Sequence, residues 1–397
     1  MTKSKFREFL FEAKHRTGLL AAAATVAVFL YMGVGAVAQS KSTLSALPPT
    51  PKAPGDNPTT PAKVALGRLL FWDPLLSGPQ DVACASCHHP QNGYAEDRDL
   101  SLGVTAIGLG SKRRQAPGSS IPIVKRNSPT VVNIAFSGSD ESGRYDPATA
   151  PMFWDLRVKS LEKQALEPLK AHEEMRGTTY QEDEAVASVV AKLQANAEYR
   201  SLFAEAFGSE QPVNAENLGR AIAAFERTLL ANNSPFDRYM RGDRSAMTEE
   251  QVSGMRRFES VGCVKCHNGP MFSDYKLHVM GVPDNPKLPA SDDGAEKTYA
   301  FRTASLRNLA FTAPYEHNGM FRTLSDVVGF YEDARGGRSR NPNVSSEKLD
   351  PLLRELGDFD EEDVDLVEFL RALSDDSFDR TIPERVPSGL PVGGKIQ

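Results

Sequence analysis

The chain has 397 residues, 40% hydrophobic and 25% charged, which is typical of a globular protein with about two domains. This composition excludes a fibrous repeat, a disordered protein and a polytopic membrane protein. The net charge of −6 argues against broad nucleic-acid binding, because nucleic-acid-binding surfaces are basic. With 4 cysteines, the chain is not a disulfide-dense scaffold.

The first segment, residues 1–38, has the pattern of an export signal. Basic residues precede an apolar run from Leu19 to Ala38, which ends in Ala-Val-Ala. This ending is typical of a cleaved signal peptide. An uncleaved membrane anchor is the alternative, since about 20 apolar residues can span a bilayer. Either way we expect an exported, periplasmic protein that touches the membrane only if the segment is uncleaved. The proline-rich residues 39–61 predict a tether.

All four cysteines fall into two copies of one motif, Cys84-Ala-Ser-Cys87-His88 and Cys263-Val-Lys-Cys266-His267. C-x-x-C-H is the attachment motif of c-type haem, in which the thiols bond to the porphyrin and the histidine ligates the iron. A thioredoxin-like redox pair does not need the histidine, and a four-cysteine zinc site would leave both histidines without a role. The sequence therefore predicts two covalent haems c, haem one at His88 and haem two at His267.

The remaining periodicity is that of helices, and no stretch alternates as a strand does. Residues 99–126, rich in Gly, Ser and Pro, predict a long loop of the kind that is often functional. Capping boxes predict that helices begin at 179–182 and 248–251, and apolar spacing predicts helices at 218–229 and 364–373. The predicted fold class is therefore all-α.

The sequence that follows each haem motif repeats. Asn133-Ile-Ala-Phe follows the first motif and Asn308-Leu-Ala-Phe follows the second, at nearly the same offset as the cysteines. We therefore predict an internal duplication that gives two cytochrome c-like domains with one haem each. Their predicted bounds are 62–240 and 241–385, with a tail at 386–397.

Haem one lacks an evident second axial ligand, since no His or Met lies between Pro90 and Arg126. An electron carrier fills both axial positions of its haem, whereas an enzyme leaves one open to a small oxidant. The pattern therefore favours an enzyme, and a pure electron carrier is the least favoured candidate.

Together these motifs resemble the bacterial di-haem cytochrome c peroxidase and MauG family, over about residues 60–385. The resemblance implies a peroxidatic haem in 62–240, an electron-transfer haem in 241–385, and hydrogen peroxide as a substrate. It also implies roles for four residues of the first domain. Glu174 resembles the carboxylate that moves the peroxide proton, Gln164 the amide that orients peroxide, Trp154 the aromatic bridge between the haems, and Pro168 a residue of the distal pocket.

The resemblance further implies a calcium ion between the domains. Its ligands would be Asn127 and the carbonyls of Thr312 and Pro314, completed by water, and such oxygen ligands suit calcium. His317 matches a family position near the haem surroundings.

The second axial ligand of haem two separates the subfamilies. Alignment of the chain with the family places Tyr331 at this ligand position. MauG-type enzymes carry Tyr at the position, whereas the cytochrome c peroxidases carry Met. A phenolate lowers the haem potential and supports higher oxidation states. Met320 is the alternative ligand, and MauG's tryptophan before the second motif is replaced by Val261. We therefore expect MauG-like oxidation of a partner protein or other donor. The alternative is reduction of peroxide with electrons from a small cytochrome c or cupredoxin.

Overall fold

The computed structural model describes residues 43–208, 210–360 and 362–397, so the predicted export signal at 1–38 lies outside the described residues. Helices dominate the described chain, which confirms the fold class as mainly helical. The α-helices are α1 Pro61–Trp72, α2 Cys84–Cys87, α3 Leu161–Gln164, α4 Glu167–Lys170, α5 Ala185–Ala195, α6 Ala197–Phe207, α7 Ala215–Glu226, α8 Pro235–Met240, α9 Glu249–Ser260, α10 Leu324–Arg335 and α11 Val364–Ala372.

Short strands form three antiparallel pairs: β1 Ala106–Ile107 with β2 Arg114–Gln115, β3 Pro151–Met152 with β4 Val158–Lys159, and β5 Leu277–Val279 with β6 Ala300–Arg302. A π-helical turn spans His172–Arg176. Single 3₁₀ turns span Pro74–Leu76, Pro90–Asn92, Gly110–Lys112, Ile134–Phe136, Cys263–Lys265, Leu309–Phe311, Ser346–Lys348 and Pro351–Glu355. Within the described ranges, no helix combines the length and the apolar character needed to cross a bilayer.

The two predicted capping boxes have different outcomes. At 248–251 the box forms: the Thr248 hydroxyl accepts from the Gln251 backbone N–H, and the Gln251 side chain accepts from the Thr248 N–H. The box at 179–182 is wrong, because α5 begins only at Ala185. Thr179 instead packs closely against Gly78. The predicted helices at 218–229 and 364–373 correspond to α7 and α11, which end earlier.

Two hydrophobic cores are each built around a close helix pair. In the first core, α1 packs on α7 at Gly67, where an added Cβ would lie 2.0 Å from the Ala221 carbonyl oxygen and 2.8 Å from the Phe225 Cβ. In the second core, α9 packs on α11 at Gly254, where an added Cβ would lie 1.9 Å from the Asp365 carbonyl oxygen and 2.9 Å from the Phe369 Cβ. The same local contact therefore occurs in both cores.

The described part of the proline-rich segment, from residue 43, packs on the body of the protein rather than extending from it as a tether would. Leu44 is buried in the second core, and Leu47 is buried in a smaller apolar cluster with Phe136 and Met271. Leu44 pairs with Gly269, and the Leu47 N–H donates to Asp237 at 2.9 Å.

The predicted tail at 386–397 is also not free, because it packs on the first core. Val386 is buried, and the Ser388 hydroxyl donates to Asp73 at 2.6 Å. The Gly393 N–H donates to the Trp72 carbonyl at 2.8 Å. The Ser86 hydroxyl, inside the first haem motif, donates to the Gly393 carbonyl at 2.8 Å. The chain end is therefore part of the first haem-motif environment.

Candidate functional site

Both haem-motif histidines are oriented by a backbone carbonyl. The Nδ1 of His88 lies 3.1 Å from the Tyr94 oxygen, and the Nδ1 of His267 lies 2.9 Å from the Phe272 oxygen. Each Nδ1 must therefore be the protonated donor, which leaves Nε2 unprotonated and able to bind a metal. Burial lowers the pKa of both histidines and keeps them in this neutral form. The donor sets at both motifs fit haem c.

Cys84 and Cys87 begin and end α2, whereas Cys263 begins a 3₁₀ turn at Cys263–Lys265 and Cys266 caps its end. None of these cysteines forms a disulfide. A cavity of about 260 Å³ opens beside the second motif, lined by Cys263, Cys266 and His267. These side chains fit a covalent haem, which would supply an iron that can be oxidised and reduced.

Tyr331 lines this cavity from α10, on the same lining as His267. Burial raises the pKa of Tyr331 well above its usual value, and the charge of Glu316 adds to the effect. The phenol therefore stays protonated unless a ferric ion displaces the proton. Met320 is not among the described residues that line the cavity, whereas Met271 and Met280 are. The sequence did not single out these two methionines, because their distance along the chain from Tyr331 gives no sign of their placement.

Glu174 lies on the π-helical turn His172–Arg176. Its carboxylate forms no hydrogen bond or ion pair with any described residue. Burial raises its pKa to about 7, and the neighbouring charge of Glu173 adds to the effect. Burial also raises the pKa values of the Cys84 and Cys87 thiols, and the charge of Glu174 contributes to both shifts. The carboxylate therefore lies within electrostatic range of the first haem motif.

Two glycines fix the turn that carries Glu174. The Val104 N–H donates to the Glu174 carbonyl at 2.9 Å, and the Gly78 N–H donates to the Met175 carbonyl at 2.8 Å. A Cβ on Gly103 would lie 2.2 Å from the Glu173 and Glu174 carbonyl oxygens. The backbones approach so closely that only glycine fits at 103. Sequence reasoning missed this contact.

Gln164 and Pro168 lie on consecutive short helices. Gln164 ends α3 and Pro168 is the second residue of α4, and both side chains are half-buried. Within the described chain, the Gln164 amide makes no side-chain hydrogen bond, so it is free to bind a small polar molecule. The structure gives no direct contact between Gln164 and Glu174.

Trp154 links residues that are distant in sequence. It is 8% exposed, and its indole N–H donates to the Asn127 carbonyl at 3.1 Å. Its own carbonyl accepts from the Arg302 N–H at 2.7 Å. The ring meets His317 edge-on with centroids 6.5 Å apart. Because Trp154 also lines the cavity beside the second motif, it joins the first half of the chain to the second.

His317 is buried and stacks on Phe301, with ring centroids 3.6 Å apart. Burial lowers its pKa to about 3, so the ring is neutral at physiological pH. Its Nδ1 has no hydrogen-bond partner in the described chain, and the residue lines the cavity.

The predicted calcium ligands Asn127, Thr312 and Pro314 all line this same cavity. The Asn127 side-chain N–H donates to the Arg98 carbonyl at 2.9 Å, which leaves the amide oxygen available as a ligand. The set supplies three oxygens, and water would complete the six to eight that calcium takes. The donor set fits calcium.

Two further groups at this site were missed from the sequence. Glu316 lines the cavity at a φ of +71°, and burial raises its pKa to about 7. Arg126 donates to Asp292 at 2.6 and 3.0 Å and to Asp155 at 2.7 Å, and so ties the two halves together. Asp292 lies in a polar loop with no motif that could have predicted this pairing.

Comparison with known proteins gives consistent matches. The family model described as di-haem cytochrome c peroxidase matches residues 61–245. A cytochrome-c peroxidase IdrP1 of Pseudomonas sp. (strain SCT) is 35% identical over 83% of this chain and 85% of its own. The methylamine utilization protein MauG of Methylorubrum extorquens is 35% identical over 85% of this chain and 84% of its own. The crystal structure of a MauG-like protein associated with microbial copper homeostasis aligns with a TM-score of 0.66 and 27% identity, over 84% and 95% of the two chains.

Proposed function

Because the chain belongs to the di-haem cytochrome c peroxidase and MauG family, whose members are oxidoreductases acting on hydrogen peroxide, we propose that it turns over peroxide at an open haem one and oxidises a partner through haem two. The haems would supply iron centres that accept and donate electrons. Cys84, Cys87 and His88 would hold the first, and Cys263, Cys266 and His267 the second. The observation that carries the proposal is the half-buried, unpartnered Glu174 carboxylate, which lies within electrostatic range of the first haem motif.

Glu174 accepts the proton of one peroxide oxygen and returns it to the leaving oxygen. General acid–base catalysis needs a group whose pKa lies near the working pH, and the value of about 7 meets that condition. The Gln164 amide orients the peroxide through hydrogen bonds. Pro168 narrows the pocket, because its ring is apolar and donates no hydrogen bond.

Electrons pass between the halves through Trp154. The support is its position: its indole N–H and its carbonyl hydrogen-bond to residues of different halves, and its ring meets His317. Asn127, Thr312 and Pro314 hold a calcium ion at this junction, which would fix the two halves in register.

The two halves are cytochrome c-like domains related by internal duplication. The repeated contact of Gly67 with Phe225 and of Gly254 with Phe369 supports this, because both pairs place a glycine against the backbone one turn before a phenylalanine. The proposed domain bounds are 62–240 and 241–385, although Phe236 packs in the second core and Phe378 in the first. The protein acts in the periplasm after export.

Tyr331 favours the MauG-like role over simple peroxide detoxification. It lines the haem-two cavity, where Met320 does not. A phenolate ligand supports the higher oxidation states needed to oxidise a partner protein. The second candidate is a cytochrome c peroxidase that takes electrons from a small cytochrome or cupredoxin. Met280 on the same cavity favours that candidate, since a thioether is the ligand that it requires.

The experiment replaces Glu174 with glutamine and follows the reaction of the diferric protein with hydrogen peroxide. Glu174→Gln should keep both covalent haems and slow the reaction by about 10²–10⁴-fold, the usual contribution of a general acid–base group. Glu173→Gln is the matched control, because it removes the neighbouring carboxylate, and it should react at nearly the wild-type rate. Equal rates in wild type and Glu174→Gln would exclude Glu174 as the proton carrier.

A further inference from the structure

Arg302 has a half-buried side chain, and no described carboxylate pairs with its guanidinium. It lines the haem-two cavity together with Cys266 and His267. Its Nε is shielded from solvent and makes no hydrogen bond. The other N–H groups of its side chain also lack a protein partner among the described residues. A guanidinium carries five N–H donors, so this side chain is open to an acceptor that the polypeptide does not provide.

The surroundings of Arg302 offer no negative charge that is free to pair with it. The carboxylate whose charge acts on Arg302 is that of Asp155. This carboxylate already accepts hydrogen bonds from Arg126 at 2.7 Å and from Arg157 at 2.8 Å. The ring centroid of Tyr275 lies 5.9 Å from the Arg302 guanidinium carbon, so this residue provides only a cation–π contact. Burial raises the pKa of Tyr275 to about 12, so its hydroxyl is neutral.

A guanidinium N–H that is shielded from solvent and left unpaired is destabilising, which is why such groups are paired in native proteins. The backbone at this position is also fixed. Arg302 ends β6, pairs with Leu277 of β5, and donates its N–H to the Trp154 carbonyl at 2.7 Å. The Arg302 backbone is therefore fixed at the cavity wall, and its side chain starts from a defined position beside the cavity.

We propose that Arg302 binds a propionate carboxylate of the haem attached at Cys263 and Cys266. A haem carries two propionates, and a guanidinium binds a carboxylate with two parallel hydrogen bonds. The hydrogen bond from the Arg302 backbone to Trp154 then ties this end of the haem to the residue proposed to carry electrons between the halves. Arg302 thus positions haem two and compensates its charge.

The inference rests on the proposed placement of haem two and not on the peroxide reaction. It is tested by the reduction potential of each haem in the full-length holoprotein, measured by optical redox titration. Arg302→Met removes the charge but keeps an extended side chain, and Arg302→Lys keeps the charge. Arg338→Met is the matched control, because Arg338 is 75% exposed and pairs with Asp333 on the surface.

Arg302→Met should shift the haem-two equilibrium toward the ferric form by about tenfold, which is about 59 mV for a one-electron couple. The reason is that an uncompensated propionate stabilises the more positive iron. Haem one should be unaffected, as should both haems of Arg338→Met, and Arg302→Lys should remain close to wild type. If Arg302→Met loses haem two, its retention at a normal potential in Arg302→Lys supports the inference.

An unchanged haem-two potential in Arg302→Met overturns the inference, as does an equal shift at both haems. Loss of haem two from both Arg302 variants also overturns it, because lysine keeps the charge that the proposal requires. A small anion from solution is the other possible carboxylate-like partner. A wild-type haem-two potential that follows the phosphate concentration identifies that source and excludes the propionate. If the wild-type protein reacts poorly with peroxide but Arg302→Met still shows the predicted shift in haem-two potential, the proposed function is refuted and the role of Arg302 stands.

Discussion

Glu174 and Tyr331 are the two side chains on which the proposed chemistry depends, and burial raises the pKa of both. For Glu174 the value of about 7 makes the acid and the carboxylate both available near neutral pH. Burial also raises the pKa of Tyr331 well above its usual value, so the phenol keeps its proton at neutral pH unless it binds a metal. A haem iron held by His267 would supply the driving force for deprotonation. The same environment therefore favours proton transfer at one site and metal-dependent ligation at the other.

The peroxide reaction should depend on pH through Glu174. The base form is the carboxylate, so the second-order rate constant should be level above a pH of about 7 and fall as pH decreases below it. Each pH unit well below the pKa should cost about tenfold, because the carboxylate fraction falls tenfold. Rapid-mixing measurements between pH 5 and 9 check this. A Glu174→Gln profile that keeps the same inflection would show that another group titrates.

Tyr331 should be the sixth ligand of haem two. Tyr331→Phe should keep the covalent haem but lose its low-spin signal, because phenylalanine offers no ligand atom. Tyr331→Met should raise the haem-two potential, since a thioether favours ferrous iron over ferric. Electron spin resonance and redox titration of the variants are the measurements.

Met280→Ala and Met320→Ala are the matched controls for that prediction, since each removes a competing thioether. Both should leave the low-spin signal intact. If instead either one abolishes the signal while Tyr331→Phe preserves it, the ligand is a methionine. The cytochrome c peroxidase role would then replace the MauG-like one.

At the scale of elements, the π-helical turn His172–Arg176 is positioned by contacts from distant segments. Gly78 and Gly103 approach its backbone so closely that an added Cβ would lie 2.1 or 2.2 Å from a carbonyl oxygen. The sequence around Glu174 contains no sign of this turn, because its conformation is set by residues about 70 and 100 positions earlier in the chain. The capping box at 248–251 could be predicted, because both partners lie within one turn.

Gly103→Ala should displace Glu174 and slow the peroxide reaction in the same way as Glu174→Gln, while both haems remain attached. Its φ is not in the left-handed region, so the effect is steric and not conformational strain. Gly55→Ala is the control without contact, since nothing lies within 4 Å of an added Cβ there. Gly254→Ala is the control for packing damage in the other core. A Gly103→Ala rate no lower than that of Gly254→Ala would show that the contact does not position Glu174.

At the scale of the whole molecule, contacts between residues far apart in sequence join the two halves. Arg126 binds Asp292, Trp154 binds Arg302, and the chain end returns from the second core to the first. The haem motifs and the repeated Asn-x-Ala-Phe runs could be recognised because each is local. The packing of residues 43–61 and 386–397 could not, because proline-rich and polar composition indicates an extended chain but not the surface on which it lies.

Deleting residues 386–397 should destabilise the first haem domain. The deletion removes hydrogen bonds to Trp72, Asp81, Ser86 and Asp73, which are worth about 1 kcal/mol each. The melting temperature should fall by roughly 10 °C in a domain of this size. Calorimetry of the holoprotein checks this, with Ile382→Ser as the control because Ile382 is 47% exposed. If the truncated protein has the same melting temperature as the Ile382→Ser control, residues 386–397 do not stabilise the domain.

The optical and spin-resonance spectra of the diferric full-length protein, before and after hydrogen peroxide is added, test whether one chain holds an open haem at His88 and a tyrosine-ligated haem at His267. We expect one high-spin, five-coordinate haem beside one low-spin haem, and a reaction with peroxide that needs no prior reduction. Two low-spin, six-coordinate haems that stay inert until one electron is added would contradict this expectation.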